Sequence, residues 1–329
     1  MQALLLAIAT MDLPTDARRI FHGRGGLYPG CEHWLLDAYA PVLLLTSFQP
    51  VDEEVLATLG AALEQRWQQI APGQALNWVF QCRHEGRSET RLMAGNVPEP
   101  HVVTENGTRY RVHVLKGQNH GLFLDMAEGR RWVREHVAAH PELTHPGLAR
   151  PGLARPGLKV LNLFAYTCAF SVVARQAGAK QVLNLDMSQG ALTIGQQNHQ
   201  LNDITDGASF LAHDIFSTWG KITRGGPYHL IIIDPPSYQK GSFVATKDYA
   251  KLIRRLPDLL RPGGHALLCL NAPELGQAFL QDQMQELAPE LQFVERVENP
   301  AVFADVSSDS SLKVLVYRAP EFDAPQGTS

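Results

Sequence analysis

Beyond residue 158 the chain alternates short apolar runs with stretches of helical periodicity. The runs 159–164 (KVLNLF), 180–186 (KQVLNLD), 208–214 (ASFLAHD), 228–234 (YHLIIID), 265–271 (HALLCLN) and 312–318 (LKVLVYR) are too short for helices and rich in Val, Leu and Ile. They predict buried strands. Between them, 168–178, 188–202 and 249–260 predict helices, closed or opened by Gly178, Ser188 and the Arg261-Pro262-Gly263-Gly264 turn. Strands that alternate with helices build an α/β fold around a parallel sheet, and such sheets bind ligands at the carboxyl ends of their strands.

The first half reads differently. PVLLLTSF (41–48) predicts a buried strand, 51–70 a helix that stops before Pro72-Gly73, and ALNWVFQCRH (75–84) another strand. Residues 101–116 hold two alternating runs around Glu105-Asn106-Gly107-Thr108, and Asn-Gly at that position predicts a hairpin. A helix follows over 126–139. The opening MQALLLAIATMDLP has an apolar run but no Lys or Arg before it, so a short strand packed on the body is expected rather than an export leader. Residues 145–160, HPGLARPGLARPGLKV, repeat P-G-L-A-R twice and begin a third copy. Pro and Gly at this density disfavour helix and sheet, which predicts an extended linker. The expected organisation is an N-terminal domain over 1–125, a connecting helix and linker over 126–158, a sheet domain over 159–319 and a tail over 320–329.

Length and composition narrow the class. A chain of 329 residues has room for two domains, and 45% hydrophobic against 19% charged residues is a globular balance that excludes a disordered protein or a coiled coil. Cys31, Cys82, Cys168 and Cys269 form no C-x-x-C pair, so neither a disulfide framework nor a zinc site is expected, and reduced thiols fit the cytoplasm. No segment approaches the ~20 apolar residues of a membrane span. The formal net charge of -4 means that any polyanion would be held by a local patch.

Candidate chemistry collects at the strand ends. The turn LNLFAYTCAFS (161–171) sits where a nucleotide-binding fold places its cofactor loop, but it lacks G-x-G-x-x-G. Asp186 ends the second strand, where a carboxylate accepts both ribose hydroxyls of an adenosine or caps the next helix. His213-Asp214 ends the third, either to meet an adenine amino group or as a surface turn. Asp234-Pro235-Pro236-Ser237 ends the fourth. Two prolines stiffen that turn and fix where the Asp234 carboxylate and the Pro235 carbonyl point, a rigid pair of acceptors for an exocyclic amino group.

With NLFAYTCAFS, LDMS, HDIF, IIIDPPSYQKG and RPGG in this order, the chain resembles the class I S-adenosylmethionine-dependent methyltransferases, and among them the bacterial ribosomal-RNA large-subunit base methyltransferases. VLKGQNHGLFLDMAEGRRWV (114–133) is similar to the segment joining that branch's two domains. The resemblance covers roughly residues 100–275. It implies a Rossmann-like methyltransferase sheet with a smaller N-terminal α/β domain for substrate, and S-adenosyl-L-methionine as cofactor. It further implies that Asn162, Phe164, Ala165 and Tyr166 line the methionine end and that Asp186 and Met187 serve the ribose. Asp214 and Ile215 would serve the adenine, and Gln118, Gly121 and Phe123 would close over the cofactor. Asp234, Pro235, Pro236 and Tyr238 would form the catalytic loop. Cys168 stands where the family usually has Gly, and Asn119-His120 replace its usual Lys-Thr. About forty residues precede the first expected strand, which leaves no room for the RNA-binding domain that often precedes this architecture.

A cytosine C5 methyltransferase needs a cysteine nucleophile. In the branch with that activity it lies seven residues past the Gly-Gly, where this chain has Asn271; Cys269 is about 6.6 Å short of it by strand rise and reads as a core thiol. An amine nitrogen is then the better acceptor, guanine ahead of adenine, with Tyr238 either stacking on the base or idle in a surface loop. For RNA, residues 82–134 carry nine Lys/Arg against six acids, and Arg18, Arg19 and Arg24 add a second cluster, although arginines in such numbers also simply solvate a surface. The reading is an RNA base methyltransferase without metal or membrane partner, its substrate ribosomal RNA. Its rivals are a small-molecule or protein methyltransferase and a cofactor-binding module without catalysis.

Overall fold

The computed structural model describes residues 1–140, 157–236, 238–239 and 243–321. The P-G-L-A-R copies and nearly all of the expected tail lie outside them. The chain divides into two compact units, one of Met1–Ala127 with Asn299–Ser308, the other of Glu128–Glu298 continuing from Asp309.

The first unit opens with a helix, α1 (Gln2–Thr10), where the sequence predicted a strand. The reason is composition: the run is built of Ala and Leu, strong helix formers, and Leu4 and Ile8 share one face and are fully buried. A five-stranded sheet follows, ordered β1-β2-β3-β4-β5. Its strands are β1 (Arg18–His22), β2 (Trp34–Tyr39), β3 (Val42–Ser47), β4 (Asn77–His84) and β5 (Arg87–Ala94). Helix α2 (Glu53–Ile70) makes the parallel crossover from β3 to β4, burying Leu56, Leu59, Leu63 and Trp67. The first strand thus begins at Arg18, not after forty residues, and β1, β2 and β5 had no sequence forecast. Arg19 of β1 faces Asp37 of β2 in register and grips it through two hydrogen bonds of 2.7 and 3.1 Å. The predicted hairpin forms as β6 (His101–Glu105) and β7 (Thr108–Val112), its turn residues Asn106 and Gly107 both at positive φ (49° and 75°).

Helix α3 (Ala127–Ala138) leads into the second unit. There β8 (Lys159–Leu163), α4 (Ala169–Gln176), β9 (Gln181–Asp186), α5 (Gln189–Leu201), β10 (Ala208–Ala212), α6 (Trp219–Gly225) and β11 (Tyr228–Ile233) alternate as predicted, α6 being an addition. The two-residue strands β12 (Tyr238–Gln239) and β13 (Phe243–Val244) pair as a small hairpin. The helix expected over 249–260 is two, α7 (Ala245–Ile253) and α8 (Leu256–Leu259), the second with Pro in its first turn. Strand β14 (Leu260–Leu270) then absorbs the expected Pro-Gly-Gly turn. Helix α9 (Gln277–Leu287), β15 (Gln292–Arg296) and β16 (Lys313–Arg318) complete the unit.

The seven-stranded sheet is ordered β10-β9-β8-β11-β14-β16-β15. It is not parallel throughout: β16 inserts antiparallel between β14 and β15 after the 299–308 excursion into the first unit. Leu161, Leu163, Ile231, Ile233, Leu268 and Leu315 pack in one core cluster with Tyr249 and Leu252 of α7. Winding reverses between β8 and β11, which makes their carboxyl ends the switch point at which such sheets bind ligands.

Candidate active site

The turn from β8 into α4 carries three non-glycine residues in the left-handed region: Phe164 (φ 58°), Tyr166 (47°) and Cys168 (61°). Each costs roughly 1–2 kcal/mol, so neighbours must hold the turn. Ala165 N–H donates to the Leu185 carbonyl at 2.9 Å, Tyr166 N–H to Asp186 Oδ2 at 2.8 Å, and Cys168 N–H to the Ala165 carbonyl at 2.7 Å. Asp186 Oδ1 accepts from Ser188 N–H at 2.8 Å. One carboxylate therefore braces the turn after β8 and the entrance of α5, and each of its oxygens keeps lone-pair capacity for a further donor. The side-chain cap of α5 is Ser188, whose Oγ accepts from Ala191 N–H at 3.2 Å.

Cys168 is fully buried, and burial together with Asp186 pushes its thiol pKa up, so it stays a packing group. It fits against Gly195 of α5: a Cβ there would lie 2.5 Å from the sulfur and 3.0 Å from Cys168 Cβ. Beneath the turn runs a buried polar chain. Asn162 Nδ2 donates to Asn184 Oδ1 at 2.9 Å, and Asn184 Nδ2 donates to Ser171 Oγ at 3.0 Å. Ser171 Oγ lies 2.9 Å from His199 Nε2, and His199 Nδ1 lies 2.7 Å from the Gly195 carbonyl. Burial lowers the His199 pKa, so the ring is neutral, with Nδ1–H donating to Gly195 and Nε2 accepting from Ser171. Asn162 is 1% exposed and stands inside the sheet, one layer below the turn.

At the neighbouring strand ends, His213 N–H donates to the Asp186 carbonyl at 3.1 Å, and exposed Asp214 caps the short turn Ile215–Ser217 by accepting from Phe216 N–H at 3.0 Å. Ile215 is buried, whereas Met187 is exposed. Past β11, half-buried Asp234 leans its N–H toward the Leu163 carbonyl at 3.5 Å, beside the β8 turn, and Pro235 is buried behind it. The chain returns through β12, where Tyr238 pairs with Val244, and Phe243 of β13 meets Phe164 edge-on at 5.2 Å and Tyr249 at 5.7 Å. One aromatic cluster thus joins the β8 turn, β13 and α7. Cys269 is 1% exposed inside β14, its carbonyl accepting from the Tyr249 hydroxyl, while Asn271 is exposed just beyond the strand.

Gln118, Gly121 and Phe123 belong to the first unit, the other predicted site residues to the second. Gln118 and Phe123 are exposed, and the Gln118 carbonyl accepts from Arg83 at 2.7 Å. Gly121 has φ 96° and would place a Cβ 2.8 Å from the Arg111 carbonyl, so only glycine fits. Sequence reasoning missed Asn184, Ser171, His199 and Gly195. A signal existed: VLNLF and VLNLD each set an Asn inside an apolar run, and the two pair in register. Among the described residues no group of three or more His, Cys, Asp or Glu can hold a metal, and no helix is long and apolar enough to cross a membrane.

A sheet parallel but for β16, with a braced, glycine-poor turn after its first strand, carboxylates ending the next strands and an Asp-Pro-Pro turn at the switch point, is the arrangement of a Rossmann-like methyltransferase. Comparison with known families agrees: the chain belongs to the S-adenosylmethionine-dependent methyltransferases, which match residues 18–149 and 150–318. Its cofactor is accordingly S-adenosylmethionine. It is 32% identical over 296 residues to a protein of Serratia proteamaculans named ribosomal RNA large subunit methyltransferase I, covering 87% of this chain and 69% of that one. With the protein of the same name from Aeromonas salmonicida it shares 31% over 214 residues, 63% of this chain and 49% of the relative, so the match spans about half that relative's length. In fold it is similar to a solved structure described as a SAM-dependent methyltransferase from Streptococcus mutans, with TM-score 0.76 and 24% identity over 97% of this chain and 81% of that one.

Proposed function

We propose that this protein transfers the methyl group of S-adenosylmethionine to a guanine nitrogen in ribosomal RNA, with residues 1–125 serving substrate recognition. The observation that carries the reading is the Asp234-Pro235-Pro236 turn, beside the β8 turn at the switch point. When bound, the cofactor supplies a methyl group already activated by its sulfonium, so the protein's task is alignment and exclusion of water. Asp186 would take the ribose hydroxyls with the acceptor capacity left after bracing Tyr166 and Ser188. Asp214 would take the adenine amino group above Ile215, and Phe164, Ala165 and Tyr166 would face the methionine end, with Asn162 supporting them from below and Met187 flanking the ribose.

On the substrate side, the Asp234 carboxylate and the Pro235 carbonyl would hold the amino group and aim its lone pair, with Tyr238 stacking on the base. Buried Cys269 offers no nucleophile and Asn271 stands where one would be required, which supports nitrogen over cytosine C5. The relatives' names support ribosomal RNA. The test is transfer of labelled methyl to unmodified RNA and ribosomal particles, with nucleoside analysis and Asp234→Ala as control. N-methylguanosine, lost in the variant, is expected; labelled 5-methylcytidine would overturn the choice of atom, and label on no RNA would overturn the substrate class.

A further inference from the structure

Strands β1, β3 and β4 of the first unit run in the same direction, because β2 is antiparallel to both β1 and β3 and β4 is parallel to β3. Residues at or just past their carboxyl ends therefore collect along one edge. Three of them meet there: Arg24 after β1, Phe48 after β3 and Arg83 near the end of β4. The Arg24 guanidinium carbon lies 4.3 Å from the centre of the Phe48 ring and that of Arg83 5.9 Å from it.

Arg83 is held as a rigid donor. Its Nε donates to Gln81 Oε1 at 2.5 Å, and its Nη2 to the Gln118 carbonyl at 2.7 Å and to His120 Nε2 at 3.1 Å. Gln81 is fully buried and anchored by Thr90 Oγ1 and the Gly117 carbonyl, at 2.9 and 2.8 Å. His120 accepts as a neutral ring, its pKa lowered to about 4 chiefly by burial, with Nδ1 donating to the His113 carbonyl. These contacts leave Nη1, with two N–H donors, without a hydrogen bond among the described residues. Arg24 is exposed and makes no ion pair or hydrogen bond among the described residues, so its five donors are open as well.

Charge at this edge is uneven. Arg19 and Asp37 satisfy one another. Arg24 and Arg83 remain, and both guanidiniums are made less comfortable by burial and by neighbouring arginines, with Asp305 the carboxylate that eases Arg24 and Asp37 easing Arg83. A protein tolerates two neighbouring guanidiniums beside a half-buried aromatic ring most readily where an anion completes the set.

We propose that Arg24, Phe48 and Arg83 form a subsite for single-stranded RNA, in which the open guanidinium donors take a backbone phosphate and the adjoining unpaired base stacks on the Phe48–Arg24 pair. Stacking on aromatic rings and on guanidinium planes is how unstacked RNA bases are held, and phosphate contacts set their register. The subsite would grip RNA beside the target nucleotide and read no sequence itself. It rests on the RNA reading above.

The test measures binding of an unstructured RNA oligonucleotide by fluorescence anisotropy across a salt series, with the full chain, and methyl transfer in parallel. Phe48→Leu should weaken binding about 5-fold or more, from the ~1–3 kcal/mol of one stacked base, and Phe48→Trp should restore it. Arg24→Gln should reduce the slope of log K against log salt by about 0.7, one phosphate contact on a single strand. Thermal unfolding of each variant, unchanged from wild type, shows that the fold is kept. If the wild type methylates RNA but Phe48→Leu and Arg24→Gln bind it with unaltered affinity and slope, the subsite is refuted and the function stands. If the wild type neither retains nor methylates any RNA, both fall together.

Discussion

Gly195→Ala should damage cofactor binding from a helix position that faces no cofactor. On an ordinary helix surface this change gains about 1 kcal/mol, because alanine is the better helix former. Here the added Cβ would stand 2.5 Å from Cys168 Sγ, 3.0 Å from Cys168 Cβ and 3.3 Å from the Thr167 carbonyl carbon. Carbon contacts are comfortable near 3.5–4.0 Å, so the overlap approaches an ångström at the sulfur. A rotamer change of Cys168 clears Sγ but leaves its Cβ and the backbone of Thr167 in the way. The turn itself must then move, and overpacking of this kind costs typically about 1–3 kcal/mol. The turn is the one that presents Tyr166 N–H to Asp186 at 2.8 Å. The expected result is a fall in Tm of a few degrees, taking roughly 2–4 °C per kcal/mol for a domain of this size, and S-adenosylmethionine affinity about 10-fold weaker by calorimetric titration. Cys168→Gly removes both the clash partner and a left-handed non-glycine residue whose strain is about 1–2 kcal/mol, so the double variant should recover most of both losses. A coupling of about 1–3 kcal/mol between the two sites is expected. Effects that simply add to within about 0.5 kcal/mol, or a Gly195→Ala protein more stable than wild type, would refute the argument.

Three further outcomes follow from the same geometry. Asp186→Asn turns one acceptor into an NH2 that faces the N–H of Tyr166 or of Ser188; leaving such a donor unpaired costs about 1–3 kcal/mol, so cofactor affinity should fall at least 10-fold, and an unchanged titration curve would show that the brace is dispensable. Asp234→Asn should keep cofactor affinity while lowering methyl transfer by about 100-fold, the loss expected of a misaligned reacting group; equal losses in binding and turnover would place Asp234 with the cofactor instead. Stability should fall on acidification: burial and like-charged neighbours lower His136 from 6.5 to about 3 and His265 from 6.5 to about 4, so both rings are neutral when folded. Groups depressed in this way contribute in full above pH 6.5 and lose that contribution as pH drops toward 4 and below, because the unfolded chain takes up the protons first. His136→Phe, which can still stack on Trp132, should flatten the decline of Tm over that range, and an unaltered profile would assign it to other groups.

The second unit was legible because period and position agreed there. Runs such as YHLIIID are apolar on both faces, as strands sandwiched between helices must be, and Asp186, Asp214 and Asp234 fall at or just past their ends. The first unit hid its strands for opposite reasons. Trp34–Tyr39 is buried throughout yet contains Asp37, tolerable only because Arg19 grips it from β1, a pairing invisible to any local window. Arg87–Ala94 is an edge strand with one neighbour, polar from Arg87 to Arg91 and apolar only over Leu92-Met93-Ala94, too short a run to betray it. The segment 299–308 belongs to the first unit through contacts of a wholly tertiary kind, Val306 N–H to the Gly25 carbonyl at 2.9 Å and Arg19 over the Phe303 ring at 4.5 Å.

The site shows the same division. The residues proposed to touch a ligand stand out in the sequence as motifs at strand ends. Residues that support them were not, since Cys168 makes sense only against Gly195, and the Asn162–Asn184–Ser171–His199 chain only when four elements are stacked. A cysteine where the resemblance leads one to expect glycine reads, in one dimension, as a weakened cofactor loop. In the fold the thiol packs against Gly195 of α5, where a Cβ would stand 2.5 Å from the sulfur. Departure from a motif residue is therefore poor grounds for inferring loss of a site, because the surface that residue packs against decides what fits there.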